Sequence, residues 1–217
     1  MNVDVVFLLK FGDKENLLKL QKKGEIYMNT IKTFREFDKA AIGDKYEGTS
    51  NIKNISNAKI TLEFPEKPLE LKSSSLQLRE HVTGHIGNIY STYAISTLLL
   101  RRKYSHHIDK RMNLFGSHCL MIKNLKDFTW RVSEKLNSMN IEHSHNLVTY
   151  RNFKKNNHVL NPFIKTHLLS YQKEHRFVAY TPSNRPLKFH IGSIEDYTEL
   201  HTADDLINNL KVSLRQT

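Results

Sequence analysis

Hydrophobic positions along this chain follow two different spacings, and each spacing predicts its own kind of element. Apolar residues that alternate with polar ones, and short runs of β-branched residues, are typical of strands. These patterns predict strands over residues 3–11, 26–28, 60–64, 88–96, 146–151, 172–180 and 186–191. Residues 38–57 are mostly polar, and we expect them to form a loop.

Helical spacing is clearest at residues 125–139, where apolar side chains recur every three or four positions. A second helix is expected to begin after Asp13, a favourable N-cap residue, and to end at Gly24. A short turn capped by Thr30 and a terminal helix complete the set. Their apolar positions are Ile31, Phe34, Phe37, Leu206, Leu210 and Leu214.

Many short strands mixed with a few helices predict an α+β fold. The sequence shows no internal repeat and no Gly/Pro/Ser-rich linker, so residues 1–217 are expected to form one domain. Apolar runs are far shorter than the roughly 20 residues of a membrane-spanning helix, and no signal peptide is recognisable. The single cysteine, Cys119, excludes an intramolecular disulfide and a multi-cysteine metal site. We therefore expect a cytoplasmic protein.

Basic residues outnumber acidic ones, 33 Lys+Arg against 22 Asp+Glu, which gives a formal charge of +11. Such an excess indicates a polyanionic partner, most simply nucleic acid. Two stretches concentrate the charge. The candidate nucleic-acid-binding residues in them are Arg101, Arg102, Lys103, Arg151, Lys154 and Lys155. Tyr150 and Phe153 lie among the latter three, and aromatic rings between cations suit single-stranded nucleic acid. Taken alone, each patch is equally well explained as a solvated loop.

Acidic residues are almost missing from residues 143–194. These 52 residues contain eight Lys+Arg and six His, but only one carboxylate, Glu174. The two-residue period of a strand would place Gln172, Glu174 and Arg176 on one face. In the plainer interpretation, Glu174 forms a solvated surface ion pair of little consequence. In the functional one, neighbouring cations lower its pKa, and the ionised carboxylate stabilises a developing cation or orients a sugar hydroxyl.

The segment Gln172-Lys173-Glu174 matches the Gln/Glu-x-Glu signature of ADP-ribosyltransferases. The chain resembles the ADP-ribosyltransferase-like family of prokaryotic toxins and phage-defence proteins. Within it, the chain is similar in outline to members that modify nucleic acids, such as the DarT-like proteins. The order of several short motifs carries the resemblance. They are a strand and helix over 7–24, an aromatic strand at 24–28, a hydroxyl-rich strand at 89–96, Phe115-Gly116, Val148-Thr149-Tyr150, Glu174-His175-Arg176-Phe177 and residues 187–192.

This resemblance implies a split β-sheet with NAD bound in the central cleft. Glu174 would be the catalytic carboxylate, which bonds a hydroxyl of the nicotinamide ribose and stabilises the oxocarbenium-like state as nicotinamide leaves. Gln172 would position the acceptor, and Gln here, rather than Glu, weakens the case for protein arginine. The implied cofactor-binding residues are Lys10, Phe11, Tyr27, Arg35, Phe115 and either Ser96 or Ser91. Lys10 departs from the family, in which Arg or His is usual.

Together, the implied cleft and the basic patches predict a toxin or defence effector that transfers ADP-ribose from NAD to nucleic acid, with RNA favoured over single-stranded DNA. The resemblance also implies an antitoxin partner. No metal is expected, because His143 and His145 have no convincing third ligand. Asp44 and Glu47 lie in a glycine-bounded loop that would cover the NAD site, although for Asp44 alone the favoured interpretation is a turn in which its side chain bonds its own backbone.

Two alternatives remain open at the level of sequence. One is a metal-independent RNase of the helical HEPN type, because Arg101 with His106, and Arg151 with His158, have its loose Arg–His spacing. The other is a non-catalytic nucleic-acid-binding domain. No Walker or Rossmann glycine-rich loop is present, so nucleotide binding through those motifs is not expected.

Overall fold

The computed structural model describes residues 5–36, 43–82, 87–97 and 107–212. Its strands, in chain order, are β1 (Val5–Gly12), β2 (Glu25–Thr30), β3 (Thr49–Leu62), β4 (Leu69–His81), β5 (Asn88–Ser96), β6 (His118–Ile122), β7 (His143–Leu147), β8 (Thr149–Arg151), β9 (His158–Val159), β10 (Ile164–Thr166), β11 (Glu174–Ala179), β12 (Leu187–His190) and β13 (Thr198–Thr202). The α-helices are α1 (Lys14–Lys23), α2 (Ile31–Glu36), α3 (Leu125–Ser138) and α4 (Ala203–Asn209). Three 3₁₀ helices span Lys110–Phe115, His167–Gln172 and Glu195–Tyr197. Antiparallel sheets combined with helices confirm the predicted α+β class.

The main sheet has eight strands, and its central strand is β5. One edge of β5 pairs with β11 along residues 88–93. The other edge is shared, because β1 pairs with its end at residues 93–96 and β2 pairs with its start at residues 88 and 89. Strands β1 and β2 therefore diverge from each other beside residues 90–92 of β5, and the sheet splits there.

The helix between β1 and β2 forms where the sequence predicts it. Asp13 is the N-cap residue of α1, although its side chain makes no capping hydrogen bond. Gly24 ends the helix with φ +62°, in the left-handed region, and a Cβ atom there would lie 2.1 Å from the carbonyl oxygen of Gly192. Thr30 caps α2, because its Oγ1 accepts a hydrogen bond from the backbone N–H of Thr33 at 3.1 Å. Glycine at position 24 is thus required by both conformation and space.

Both faces of the main sheet are covered by apolar side chains. On one face, Leu8 and Leu120 pack with Phe128 and Val132 of α3 and with residues of α1. On the other, Leu9 and Cys119 pack with residues of α4 and of the first 3₁₀ helix. Consecutive residues such as Leu8 and Leu9 face opposite sides because side chains alternate along a strand. Strand β1 is therefore packed between two apolar layers.

Several predicted elements need correction. The expected loop at 38–57 is wrong over its second half, since β3 begins at residue 49 and forms a long hairpin with β4. The strand expected at 146–151 is two short strands, β7 and β8, which belong to different sheets. The strand expected at 172–180 begins only at residue 174, so Gln172 precedes it. Helix α4 ends at residue 209, and the predicted positions Phe37 and Leu214 lie outside the described residues.

The β3–β4 hairpin is solvated over most of its length. Its base packs through Ile52 against Phe153 and Leu160. Its far end exposes several large apolar side chains, which are Leu62, Phe64, Leu69 and Leu71. Within the described part of the chain, no helix is long and apolar enough to cross a membrane.

Candidate active site

A cleft of about 280 Å³ opens where the sheet splits. Its floor is the unpaired stretch of β5 at residues 90–92, and β1 and β2 form its walls. The two 3₁₀ helices that end at Phe115 and Gln172 flank it. The sequence-predicted residues that line this cleft are Lys10, Phe11, Tyr27, Ser91, Phe115, Gln172 and Glu174. Residues far apart in the sequence therefore meet in one cavity.

Glu174 lies at the bottom of the cleft and is only 6% exposed. Lys165 Nζ donates to its Oε1 at 2.6 Å, and Ser91 Oγ donates to its Oε2 at 2.8 Å. The guanidinium of Arg176 also donates to Oε2, from Nε at 3.2 Å and from NH2 at 3.0 Å. Tyr150 accepts the backbone N–H of Glu174 through its hydroxyl at 3.0 Å. The plainer prediction of a solvated ion pair is therefore wrong, because the pair is buried.

Strand register explains which hydroxyl meets the carboxylate. Glu174 is paired with Tyr93 and Arg176 with Ser91, so these four side chains share one face of the sheet. Ser96 is five residues from Ser91, and an odd separation puts its side chain on the opposite face. Ser91 is thus the hydroxyl beside Glu174, whereas Ser96 pairs with Val5 of β1 and is not among the described residues that line the cleft.

Charge keeps Glu174 ionised. Burial alone would raise the pKa of this carboxyl, but the charges of Lys165 and Arg176 outweigh it. Hydrogen bonds from Lys165 and Ser91 act in the same direction, so the pKa of Glu174 lies well below its ordinary value. The predicted lowering of this pKa by neighbouring cations is confirmed. A fixed negative charge at the base of a cleft can stabilise a cation that forms above it.

Arg176 is held by a second carboxylate. It is 2% exposed, and its NH1 and NH2 atoms donate to the two carboxylate oxygens of Glu47 at 2.9 and 3.1 Å. Its NH1 also donates to the backbone carbonyl of Pro162. Burial would lower the pKa of Arg176, but Glu47 and Glu174 raise it above its ordinary value. Glu47 lines the cleft, as the loop prediction for this region allowed.

Lys165 is the main site residue that the sequence did not reveal. It is the middle residue of β10, and its buried Nζ joins Glu174 Oε1 to Gln172 Oε1, the latter at 2.8 Å. Asp44 Oδ2 lies 4.0 Å from the same nitrogen. Asp44 Oδ1 accepts the backbone N–H of Tyr46 at 2.9 Å, which confirms the turn predicted for Asp44. The only sequence signal at Lys165 was its position between β-branched neighbours.

Lys10 joins this cleft to a second one. The second cleft has a volume of about 460 Å³, and Lys19 and Lys188 line it. Lys10 Nζ donates to the carbonyl oxygen of Ser91 at 2.7 Å and lies 4.1 Å from the centre of the Tyr90 ring. Burial lowers the pKa of Lys10 to about 8, although the charge of Glu174 opposes the shift. A cation thus stands between the two cavities.

Aromatic side chains form the wall that both clefts share. Phe11, Tyr27, Tyr90 and Phe115 each line both cavities. Tyr27 is 52% exposed, so its ring is accessible from solvent. Arg35 is not among the described lining residues, although its neighbour on α2, Phe34, lines the first cleft. Helical rotation between adjacent residues turns the two side chains in different directions.

The structure tests only part of the basic surface. Arg101, Arg102 and Lys103 lie outside the described residues. Arg151, Lys154 and Lys155 are exposed, as a nucleic-acid-binding patch requires. The stacking expected of Phe153 is wrong, because its side chain is 1% exposed and packs under the β3–β4 hairpin. The hydroxyl of Tyr150 accepts a hydrogen bond from the backbone N–H of Glu174, so this side chain lies beside the base of the cleft.

The histidines do not assemble a metal site in the described part of the chain, where no group of three or more His, Cys, Asp or Glu residues is placed to hold an ion. His145 instead contacts His175, with Nδ1 and Nε2 separated by 3.2 Å. Burial and the charge of His145 lower the pKa of His175 to about 3.

Comparison with family models, with curated proteins and with solved structures finds no match to this chain.

Proposed function

We propose that this protein is an ADP-ribosyltransferase with an ADP-ribosyltransferase-like fold, and that it transfers ADP-ribose from NAD to nucleic acid, RNA in preference to single-stranded DNA. One observation carries the proposal. The carboxylate of Glu174 stays ionised at the base of a cleft formed where the sheet splits. Around it lie a hydroxyl, a lysine and accessible aromatic rings, the groups that a dinucleotide with two sugars, a diphosphate and two bases needs.

The reaction assigns a role to each group. The bond between C1′ of the nicotinamide ribose and the pyridinium nitrogen breaks, and nicotinamide leaves as a neutral molecule with the bonding electrons. Glu174 stabilises the positive charge that develops on the ribose and accepts a hydrogen bond from its hydroxyl. The acceptor atom then bonds to C1′ and loses a proton. We assign Gln172, whose Oε1 accepts a hydrogen bond from Lys165 Nζ at 2.8 Å, to positioning the acceptor.

The second cleft gives room for the rest of NAD. Lys10 stands at its junction with the first cleft, and Lys19 and Lys188 line it. Each is a candidate for contacts with the diphosphate. The shared aromatic wall offers faces for nicotinamide or adenine, with Tyr27 the most accessible.

The positions of exposed basic side chains support nucleic acid as the acceptor. Arg151 follows Tyr150, whose hydroxyl accepts the backbone N–H of Glu174. Lys154 and Lys155 continue from it on the loop between β8 and β9. An acceptor strand held on this loop would pass close to the carboxylate. A protein antitoxin that restrains the activity is part of the same proposal.

The direct test uses NAD labelled in its adenylate half, incubated separately with RNA, single-stranded DNA and cell protein. We expect label to become covalently attached to RNA. Label on protein alone would overturn the choice of acceptor, and no NAD consumption with any acceptor would overturn the enzyme class. RNA cleavage without NAD would favour the RNase, although the strand-rich fold weighs against the helical type.

We expect the Lys10→Met variant to have a KM for NAD about tenfold to a hundredfold above that of the wild type, because it loses a charge-assisted contact to the diphosphate. In the wild type, kcat/KM should fall as the pH rises through about 8, where Lys10 loses its proton and its positive charge. The variant should lack this step. Initial rates of nicotinamide release from pH 6 to 10 measure both effects.

The matched control is Lys22→Met, which removes an exposed lysine near the C-terminal end of α1. This variant should keep the wild-type KM and the wild-type pH profile. An identical step near pH 8 in the Lys10→Met variant would contradict the assignment of Lys10 to the cofactor.

We expect the double variant Lys154→Gln/Lys155→Gln to bind RNA with a weaker dependence on salt. Each phosphate contact that is lost should reduce the slope of log K against log[salt] by about one, hence by about two in total. Fluorescence anisotropy of a labelled single-stranded RNA between 50 and 200 mM salt, a range in which such contacts dominate, measures the slope. An unchanged slope would remove this loop from the acceptor site.

The control for this experiment carries the same two changes on α3, as Lys126→Gln/Lys135→Gln. Both lysines are exposed there, so net charge falls equally while the β8–β9 loop stays intact. We expect its salt slope to equal that of the wild type. Equal losses in the two double variants would indicate a general effect of net charge.

A further inference from the structure

Lys165 is buried at the point where the two residues of the Gln-x-Glu segment meet. Its side chain is 6% exposed, and Nζ lies 2.6 Å from Glu174 Oε1 and 2.8 Å from Gln172 Oε1. The residue between those two, Lys173, has a left-handed backbone with φ 44°, which separates the 3₁₀ helix from β11. Lys165 thus bridges two side chains that the backbone leaves on different elements.

An ammonium group only donates hydrogen bonds, and this fixes the orientation of both partners. Gln172 must turn its Oε1 atom toward Lys165, and its Nε2 atom is consequently directed away from Nζ. Glu174 likewise has Oε1 directed to Lys165 and Oε2 directed to Ser91 and Arg176. One buried cation therefore sets the direction of both polar groups.

The two carboxylate oxygens of Glu174 differ in their remaining capacity to accept hydrogen bonds. Oε2 receives three donor atoms, namely Ser91 Oγ and two nitrogens of Arg176. A carboxylate oxygen has about two lone-pair sites, so Oε2 is saturated. A substrate hydroxyl must donate to Oε1, which is the oxygen that Lys165 holds.

The two-stranded ladder that carries Lys165 also holds the backbone of Glu174. Strands β8 and β10 form a two-stranded parallel ladder in which Tyr150 is paired with Lys165. The Tyr150 hydroxyl accepts the N–H of Glu174, and burial raises the pKa of Tyr150 so that it stays protonated. Backbone and carboxylate of Glu174 are therefore fixed by two adjacent side chains of one ladder.

We propose that Lys165 is the positioning residue of this site, which aims Glu174 Oε1 at the substrate hydroxyl and fixes the orientation of the Gln172 amide beside it. The inference rests on the proposed function and extends it to a residue outside the Gln-x-Glu segment. Lys165 acts through Glu174 and Gln172 and supplies part of the positive charge that keeps the carboxylate ionised.

Lys165 is one of several charged or titratable groups around Glu174, and these belong to different elements. They are Lys10 on β1, Tyr90 and Tyr93 on β5, Tyr150 on β8, Lys165 on β10, Arg176 on β11, and Asp44 and Glu47 in the segment before β3. The tyrosines have raised pKa values because they are buried, and Arg176 stays charged. Loss of Lys165 removes one of the two cations that contact the carboxylate.

The test compares the Lys165→Met variant with the wild type and with Lys135→Met, which makes the same change at an exposed position on α3, outside the cleft and the β8–β9 loop. We expect kcat for nicotinamide release to fall about tenfold to a hundredfold, the size of effect that a displacement of about 1 Å in a reacting group produces. KM for NAD should change less than about twofold, since Lys165 does not hold the cofactor. The wild type should show no acid limb of kcat between pH 4 and 9, because the pKa of Glu174 lies well below its ordinary value, whereas the acid limb of Lys165→Met should move up into this range.

Lys165→Arg supplies a second readout. It keeps the charge, so like the wild type it should show no acid limb between pH 4 and 9, but its wider head cannot reproduce both short contacts and kcat should still fall. If Lys165→Met does not fold, which circular dichroism would show, the Arg variant decides alone, and a shifted acid limb in it would overturn the proposal. A folded Lys165→Met variant that matches Lys135→Met in kcat and pH profile would also overturn it. A wild type that releases no nicotinamide would instead overturn the proposed function.

Discussion

We expect the Glu174→Gln variant to release nicotinamide from NAD at least roughly 10²–10³-fold more slowly than the wild type, the loss that follows removal of a preorganised electrostatic contact to the transition state. Glutamine is nearly isosteric with glutamate but carries no charge to oppose the cation that develops on the ribose. RNA binding should stay within about twofold, because the exposed basic loop is untouched. Single-turnover nicotinamide release and RNA anisotropy measure the two properties separately.

The substitution also leaves Lys165 and Arg176 with one negative charge fewer, so the fold must be checked independently. Glu174→Asp serves this purpose, since it retains the charge between the two cations but withdraws the carboxylate from the cleft by one methylene. We expect it to be folded and still strongly impaired. Glu142→Gln, at an exposed position, is the matched control with normal activity. Nicotinamide release by Glu174→Gln at the wild-type rate would sink the catalytic assignment.

The candidate carboxylate could be found from the sequence because it is a single acidic residue in a basic stretch. Only Glu174 interrupts a long acid-free stretch, and a lone acid among cations is expected to be ionised wherever the chain places it. Of the two partner cations, Arg176 could be expected on the same face two residues further on, but Lys165 could not be identified. Lys165 is one of eight basic residues in that stretch, and its role depends on pairing between β8 and β10, two strands of only three residues each.

The choice between Ser91 and Ser96 illustrates what the two-residue period of a strand can and cannot do. The period shows that the two hydroxyls face opposite sides, but the side that holds Glu174 depends on the register between β5 and β11. Register is set by long-range packing and cannot be predicted from the sequence of either strand alone. The basic loop was misjudged for a related reason, because the burial of Phe153 depends on a hairpin that starts about 100 residues earlier in the chain.

Helices and their ends are easier to predict from the sequence than strand pairing is. Gly24 ends α1 as predicted, since its left-handed conformation is a local property that glycine adopts without strain. Residues 49–57 were mistaken for a loop because both faces of the β3–β4 hairpin are largely solvated, so polar residues fill a strand that buries little. Hydrophobic alternation identifies only strands that have a buried face.

We expect the Arg176→Met variant to lose about 3–5 kcal/mol of unfolding free energy, the usual cost of removing one partner from a buried ion pair. Arg176 is among the largest fully buried side chains, and its guanidinium contacts both Glu47 and Glu174. Methionine fills much of the volume but leaves Glu47 without the two hydrogen bonds that it receives from the guanidinium. Urea-induced unfolding at pH 7, followed by circular dichroism, measures the loss.

The pH dependence of this loss separates charge from packing. Arg176 lowers the pKa of Glu174, so the carboxylate contributes stability that is present above its ordinary pKa and disappears as the pH falls through the lowered one. Removing Arg176 should therefore cost most near neutral pH and progressively less in acid, as Glu174 becomes protonated. The control Arg185→Met, at an exposed position, should change stability by no more than about 0.5 kcal/mol at any pH. A loss in Arg176→Met that stays constant from pH 7 to pH 4 would mean that packing around the guanidinium, and not its charge, stabilises the base of the cleft.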